Sequence, residues 1–201
     1  GCRKQPNPQW YNYKLEKLAV LEQLHTEGFI DLRYGDESGI CSEGYVPYGW
    51  QFPKEKIYVP VERGFRLNCF ALINRENNCW VKATQGSINA EKMIQWLDEF
   101  SFQIQKITCI VWDNARIHTA KKIKQRIPVW QQRGLYVFYL PTYSPHLNIA
   151  EILWRKLKKE WLKPQDYCND QQLEYVTKHI LANVGKFWRI KFSPFNKTNF
   201  E

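Results

Sequence analysis

Three acidic residues stand in short, unlike motifs. Asp36 lies in Gly35-Asp36-Glu37-Ser38, Asp113 in Trp112-Asp113-Asn114-Ala115-Arg116-Ile117-His118, and Glu151 in Ser144-Pro145-His146-Leu147-Asn148-Ile149-Ala150-Glu151. Carboxylates brought together repel one another and raise each other's pKa unless a cation joins them. Mg²⁺ is satisfied by a few carboxylates, waters and substrate phosphate oxygens. Two such ions about 3.5–4 Å apart clamp an in-line displacement at phosphorus. Phosphodiester chemistry is the expectation, with Asp36, Asp113 and Glu151 as catalytic residues and as ligands of two Mg²⁺ or Mn²⁺ ions. Asp36 is expected to bridge the ions and the other two to bind one each.

Strand phase supports the first two acids, because side chains two apart share a face. Asp36 is in phase with Ile30, Leu32 and Tyr34, and Asp113 with Ile107, Cys109 and Val111. Each aspartate is expected to end a strand on an apolar face, and sites in open α/β sheets gather at the carboxyl ends of strands. Glu151 falls early in a helix whose apolar face is Ala150, Leu153, Trp154, Leu157 and Trp161, with Arg155 and Lys158 at i+4 and i+7. Each acid also has an ordinary reading. Aspartate is common in turns after strands, and a first-turn glutamate is favoured by the helix dipole. The matching contexts of all three lift them above that.

The elements that must position these acids follow from periodicity. Residues 1–12 are polar, with Pro6-Asn7-Pro8 as a stiff linker. A helix of about 14 residues then carries a Leu15, Leu18, Leu21 and Leu24 stripe, with Gly28 as its stop. Ile30 to Asp36 alternates as a strand, and 41–54 reads as loop or short hairpin. Lys56 to Glu62, Phe65 to Ile73 and Cys79 to Thr84 read as strands of an antiparallel meander. Asn89 caps a helix with apolar Ala90, Met93, Ile94, Leu97 and Phe100. Ile107 to Trp112 and Leu135 to Leu140 read as buried strands. Residues 118–133 read as a helix interrupted near Pro128, and 148–162 as a helix ending before Pro164. A last helix runs from Asn169-Asp170 to Val184, and an aromatic and basic tail follows. The expected class is α/β, a mixed sheet flanked by helices in the order of the ribonuclease H-like fold. Three segments are expected: 1–29 as linker and helix, 30–165 as the catalytic domain, and 166–201 as a helix and tail packing on or extending it.

Length and charge bound the rest. The chain has 201 residues and a net charge of +9, which suits a polyanionic partner without proving one. Its six cysteines, Cys2, Cys41, Cys69, Cys79, Cys109 and Cys168, form no Cys-x-x-Cys pair, which argues against a zinc ribbon. Nothing suggests a disulfide framework, a signal peptide or a membrane span, so a reducing, cytoplasmic setting is expected. The first residue is Gly1 and the only methionine is Met93, so a piece of a longer protein is expected.

Two basic clusters follow the acids directly. Arg116, Lys121, Lys122, Lys124 and Arg126 come after Asp113; Arg155, Lys156, Lys158, Lys159 and Lys163 flank Glu151. Such cations grip phosphates with little sequence preference. DNA contact is expected from Arg116, Lys121, Lys122, Lys124, Arg155, Lys158 and Lys159. Trp50 and Trp80 are candidates for stacking on DNA, with core packing as the commoner fate.

Taken together the motifs resemble the DDE transposases of the mariner superfamily, especially their bacterial insertion-sequence branch. The resemblance is carried by Asp36-Glu37-Ser38, by Asp113-Asn114-Ala115 with His118, and by Tyr143-Ser144-Pro145 with Leu147-Asn148 and Glu151-Ile152-Leu153-Trp154, over about residues 30–165. It implies a ribonuclease H-like, retroviral-integrase-like catalytic domain. It also implies Mg²⁺ or Mn²⁺ and cut-and-paste transposition, with strand cleavage and 3′-end transfer into double-stranded DNA. Asn114, His118 and Asn148 match motif positions and are expected to support the acids. Many relatives have proline where this chain has Ile149, which bears on how the helix is entered. A separate N-terminal helix-turn-helix region that binds transposon ends, a homodimer that pairs two ends, and a bacterial, nucleoid-associated setting belong to the same expectation. Two alternatives stay open: a domesticated or decayed transposase kept as a DNA-binding or assembly module, and another ribonuclease H-like nuclease.

Overall fold

Asn7 starts the first helix rather than stiffening a linker. The computed structural model describes residues 7–42 and 64–200, so the strand expected over 56–62, most of the 41–54 loop, Trp50 and Cys2 lie outside the described residues. Helix α1 runs Pro8–Thr26. The Asn7 side chain accepts the Gln9 N–H at 3.0 Å, and Pro8 occupies a first-turn position whose N–H has no helical partner to lose. The helix ends as Gly28 predicts. Gly28 takes a φ of +84°, its N–H reaches His25 O, and the Phe29 N–H reaches Leu24 O. That is the paired carbonyl capping of a Schellman turn.

A five-stranded sheet follows, in the order β3-β2-β1-β4-β5. Its strands are β1 (Asp31–Cys41), β2 (Arg66–Ile73), β3 (Cys79–Thr84), β4 (Thr108–Trp112) and β5 (Leu135–Tyr139). β1 to β3 form the expected antiparallel meander, and β4 and β5 add in parallel beside β1. Helix α2 (Ala90–Ser101) is capped by Asn89, whose side chain accepts the Lys92 N–H at 2.9 Å. Helix α3 (Lys121–Gln132) joins β4 to β5. Helix α4 (Ala150–Lys156) continues as a π-helical turn through Leu157–Trp161. Helix α5 (Asp170–Ala182) is capped by Asn169 on Gln172 N–H at 2.8 Å.

Alternation sorts the sheet's side chains into two cores. Leu32 and Tyr34 of β1, with Cys109 and Val111 of β4, pack against Leu15 and Leu18 of α1, Leu153 and Trp154 of α4, and Leu173 and Ile180 of α5. On the other face, Phe70, Leu72, Ile110 and Trp112 pack against Met93, Leu97 and Phe100 of α2 and Ile123 and Trp130 of α3. The result is a mixed sheet between two helical layers, as the periodicity predicts.

Several local expectations are corrected. β1 does not end at Asp36; its pairing with β2 continues to Cys41 opposite Arg66. Ile107 precedes β4 and is exposed, while all five residues of β4 are buried. β5 is an edge strand rather than a fully buried one, so Tyr136 is exposed. α3 is not interrupted at Pro128. A helical proline costs about 3 kcal/mol, and burial of Ile123 and Trp130 on either side of it offsets that. The helix expected over 148–162 starts at Ala150, after a 3₁₀ turn at Pro145–Leu147, and is divided into α4 and the π turn.

Gly35 lies where β1 meets its neighbours most closely. A Cβ there would stand 3.1 Å from Leu72 Cδ2 and 3.4 Å from both Ile110 Cγ2 and Trp112 Cδ1. Gly35→Ala is expected to lower stability by roughly 1–3 kcal/mol through overpacking beside Asp36. A lower denaturant midpoint at unchanged m-value is the readout.

Candidate active site

The parallel ladder between β1 and β4 brings the two aspartates together. Tyr34 pairs with Val111; Asp36 follows two residues later on β1, on the same face as Tyr34, and Asp113 comes directly after the last residue of β4. α4 packs on that face through Leu153 and Trp154 and carries Glu151 as its second residue. A cleft of about 290 Å³ is lined by Asp36, Glu37, Ser38, Glu151, Trp154, Arg155, Lys158 and Lys159. Asp36 of β1 and Glu151 of α4 thus line one cleft, which Asp113 does not line. Asp113 stands near enough to act on Asp36 by charge.

The electrostatics are those of a crowded acid cluster. Burial pushes the Asp36 carboxyl up to about 7, and the charges of Glu151, Glu37 and Asp113 push the same way. Asp113 is held below the usual carboxylate range, chiefly by its hydrogen bond with His118, and its Oδ1 also accepts the Ala115 N–H at 2.9 Å. The His118 imidazole lies 2.6 Å from Asp113 Oδ1 through Nδ1 and 2.7 Å from Glu37 Oε1 through Nε2. Burial alone would lower its pKa, but the hydrogen bonds and charges of the two carboxylates outweigh burial and raise it to about 9. The ring stacks on Trp112 at a centroid separation of 3.9 Å.

Both asparagines of the motifs tie backbone segments together. Asn148 is buried; its Nδ2 donates to Gly35 O at 2.9 Å and its Oδ1 accepts the Ala150 N–H at 3.0 Å. It thus fixes the start of the Glu151 helix to the residue before Asp36. Ile149, standing where many relatives have proline, takes helical angles and is buried, so Glu151 keeps its place in the first turn. Asn114 donates to Leu140 O and links the ends of β4 and β5.

The basic clusters separate. Arg155, Lys158 and Lys159 line the cleft and have no ion-pair partner among the described residues. Lys156 pairs with Glu160 at 2.6 Å. Arg116, Lys121, Lys122 and Lys124 are exposed but do not line that cleft. Lys122 is paired with Glu91, and Arg126 grips Asp98 through Nε and Nη2 at 2.8 and 2.9 Å. Trp80 packs edge-on to Phe70 and against Phe100, in the core rather than at the site.

Glu37 was the residue that motif reading passed over. Its signal was present: alternation turns it to the same side of the sheet as Trp112, toward the loop that carries His118.

The chemistry of these carboxylates, though not their spacing here, suits a divalent cation. A half-buried carboxyl raised by desolvation and by three neighbouring acids is the state that a bound cation relieves. Asp36 and Glu151 have no ion-pair partner among the described residues. The set stands open, since no three His, Cys, Asp or Glu side chains among the described residues are drawn together closely enough to hold a metal.

The mixed five-stranded sheet between two helical layers is the ribonuclease H-like fold. The profile of the DDE superfamily endonucleases matches residues 31–174, so the chain belongs to that family and is a metal-dependent endonuclease domain. Its structure is similar to the Mos1 mariner paired-end complex with Mn, at a TM-score of 0.63 and 17% identity over 94% of this chain and 60% of that one. It is similar to the Mos1 strand transfer complex at 0.55 and 16%, over 94% and 59%. The Mos1 transposase catalytic domain with Raltegravir and Mg gives 0.55 and 14%, over 92% and 89%. The chain thus spans about three fifths of the Mos1 chain in the first two complexes. A search of curated protein sequences finds no match.

Proposed function

We propose that this chain is the catalytic domain of a cut-and-paste DNA transposase, cleaving DNA strands and joining the freed 3′ ends to new DNA. The observation that carries this reading is Asp36, a half-buried carboxyl crowded by Glu151, Glu37 and Asp113 in a cleft that also holds Arg155, Lys158 and Lys159. Acids that need a cation beside cations that need a polyanion suit phosphodiester cleavage on DNA. The likeness to Mos1 chains in paired-end and strand-transfer complexes supports the transposase reading over other nucleases of this fold.

Asp36, Asp113 and Glu151 would hold two Mg²⁺ or Mn²⁺ ions, which would supply Lewis-acid polarisation and a nucleophile at neutral pH. Asp36 must be ionised to serve, which its elevated pKa makes dependent on cation binding or on a pH above neutrality. Asn148 keeps Glu151 beside the Asp36 strand. Arg155, Lys158 and Lys159 would hold the phosphate backbone of double-stranded DNA along the cleft. A homodimer that pairs two ends, an end-binding helix-turn-helix region and a cytoplasmic, bacterial setting complete the reading.

The test is a reaction of the chain with Mn²⁺, a duplex bearing a free 3′-hydroxyl and a supercoiled plasmid. Joined products support the transposase reading. Hydrolysis without joining would favour another ribonuclease H-like nuclease, and DNA binding without either reaction an assembly module. Lys158→Ala is expected to weaken DNA binding and reduce the slope of log K against log salt by about 0.9. Lys122→Ala should change it far less, because that ammonium is already paired with Glu91. Anisotropy titrations at several salt concentrations read both.

A further inference from the structure

We propose that Glu37 is a positioning residue that fixes the Asp113 carboxylate through His118, so that one oxygen, Oδ2, is left for a cation. This rests on the reading of Asp113 as a metal ligand. Asp113 follows the last residue of β4 and its side chain is 48% exposed, so the strand alone does not hold its rotamer. Its Oδ1 is taken twice, by His118 Nδ1 at 2.6 Å and by the Ala115 N–H at 2.9 Å. Among the described residues nothing bonds Oδ2.

His118 acts as a rigid spacer. Its side chain is 1% exposed, its ring lies on Trp112, and the Tyr139 hydroxyl donates to its carbonyl at 2.7 Å. Each ring nitrogen faces a carboxylate oxygen, and an ionised carboxylate only accepts, so both nitrogens carry a proton. Glu37 supplies the second acceptor, from the residue next to Asp36. The link Glu37–His118–Asp113 therefore ties the strand of one proposed ligand to the carboxylate of another. Such outer partners orient ligands and raise metal affinity.

Glu37 is partly exposed, so its variants test the link without opening the core. In chelator-treated protein, nitrogen NMR should show both His118 nitrogens protonated and hydrogen-bonded. Glu37→Gln, which keeps an acceptor, should preserve that signature; Glu37→Ala should change the Nε2 signal and, through the ring, the Nδ1 signal. Mn²⁺ affinity read by electron paramagnetic resonance should fall about 10–100-fold in Glu37→Ala and stay within about threefold in Glu37→Gln. Combining Glu37→Ala with His118→Gln should cost no more than the larger single loss, because both act through Asp113. Equal losses in the two Glu37 variants would make Glu37 a direct ligand and overturn the proposal. So would additive losses with His118→Gln, or unchanged affinity and an unchanged Nδ1 signal in Glu37→Ala. If the parent chain bound no Mn²⁺, the metal reading would fail while the NMR signature still decided the link.

Discussion

Asp36→Asn is expected to reduce divalent-metal-dependent strand cleavage by roughly 1000-fold or more. Metal-ion catalysis supplies several kcal/mol of transition-state stabilisation, and about 4 kcal/mol corresponds to about a thousandfold in rate. Asp36 is the acid on which the others converge: burial and three neighbouring carboxylates bear on it, and it lines the cleft with Glu151. An amide keeps its shape and removes its charge. Single-turnover cleavage of a labelled duplex in Mg²⁺ and in Mn²⁺ measures the loss, with circular dichroism to confirm the fold. Activity within about tenfold of the parent, set against those several kcal/mol, would end the role assigned to Asp36.

The same substitution is expected to stabilise the metal-free protein in alkali. The Asp36 pKa rises from 3.8 to about 7 on folding. The folded state therefore holds this proton where the unfolded chain has lost it. Stability from this group is fully present below about pH 4, declines as pH rises to about 7, and is level above that. At about 1.36 kcal/mol per unit, the loss is on the order of 4 kcal/mol at pH 8. His118 acts in the same direction over a later window. Its pKa rises from 6.5 to about 9, so its contribution is present below about pH 6.5 and lost as pH climbs through about 9. Asp113, held below its ordinary value, stabilises at neutral pH and loses that effect only in acid.

Thermal melts in chelator from pH 5 to 9 should show the parent losing stability as pH rises and Asp36→Asn losing less. At pH 8 the variant should melt higher by about 8–16 °C, from a shift of about 2–4 °C per kcal/mol in a chain of this size. Added Mg²⁺ should raise the parent's melting temperature and leave the variant's nearly unchanged, since only the parent offers the full carboxylate set. A parent no less stable at pH 8 than at pH 5 would contradict the crowded, desolvated carboxyl at position 36. The two outcomes together describe a site whose function is held against its own stability.

The local features were legible because consecutive residues encode them. The alternation through Leu32 and Tyr34, and through Cys109 and Val111, sorted the apolar side chains of both strands onto one face, and the sheet keeps them there. Asn89 and Asn169 announced their helices, since a cap needs only a side chain and an N–H three residues on. Proline and glycine were less dependable. Pro128 does not break α3 because buried Ile123 and Trp130 hold it, and Pro8 opens a helix because Asn7 caps it.

Tertiary structure decided what depends on distant partners. β1 runs past Asp36 because β2 pairs with it to Cys41, and β5 is half exposed because no sixth strand covers its edge among the described residues. Lys122 and Lys158 look alike in a run of charges, yet one meets Glu91 and the other lines the cleft of Asp36. Residue type and spacing determined which side chains are candidates for the chemistry and which apolar side chains share a face of the sheet. Which carboxyl is desolvated, and which histidine nitrogen meets which acid, depends on segments such as Glu37 and His118 that lie far apart in the chain, and electrostatic energies are set by that through-space separation and burial.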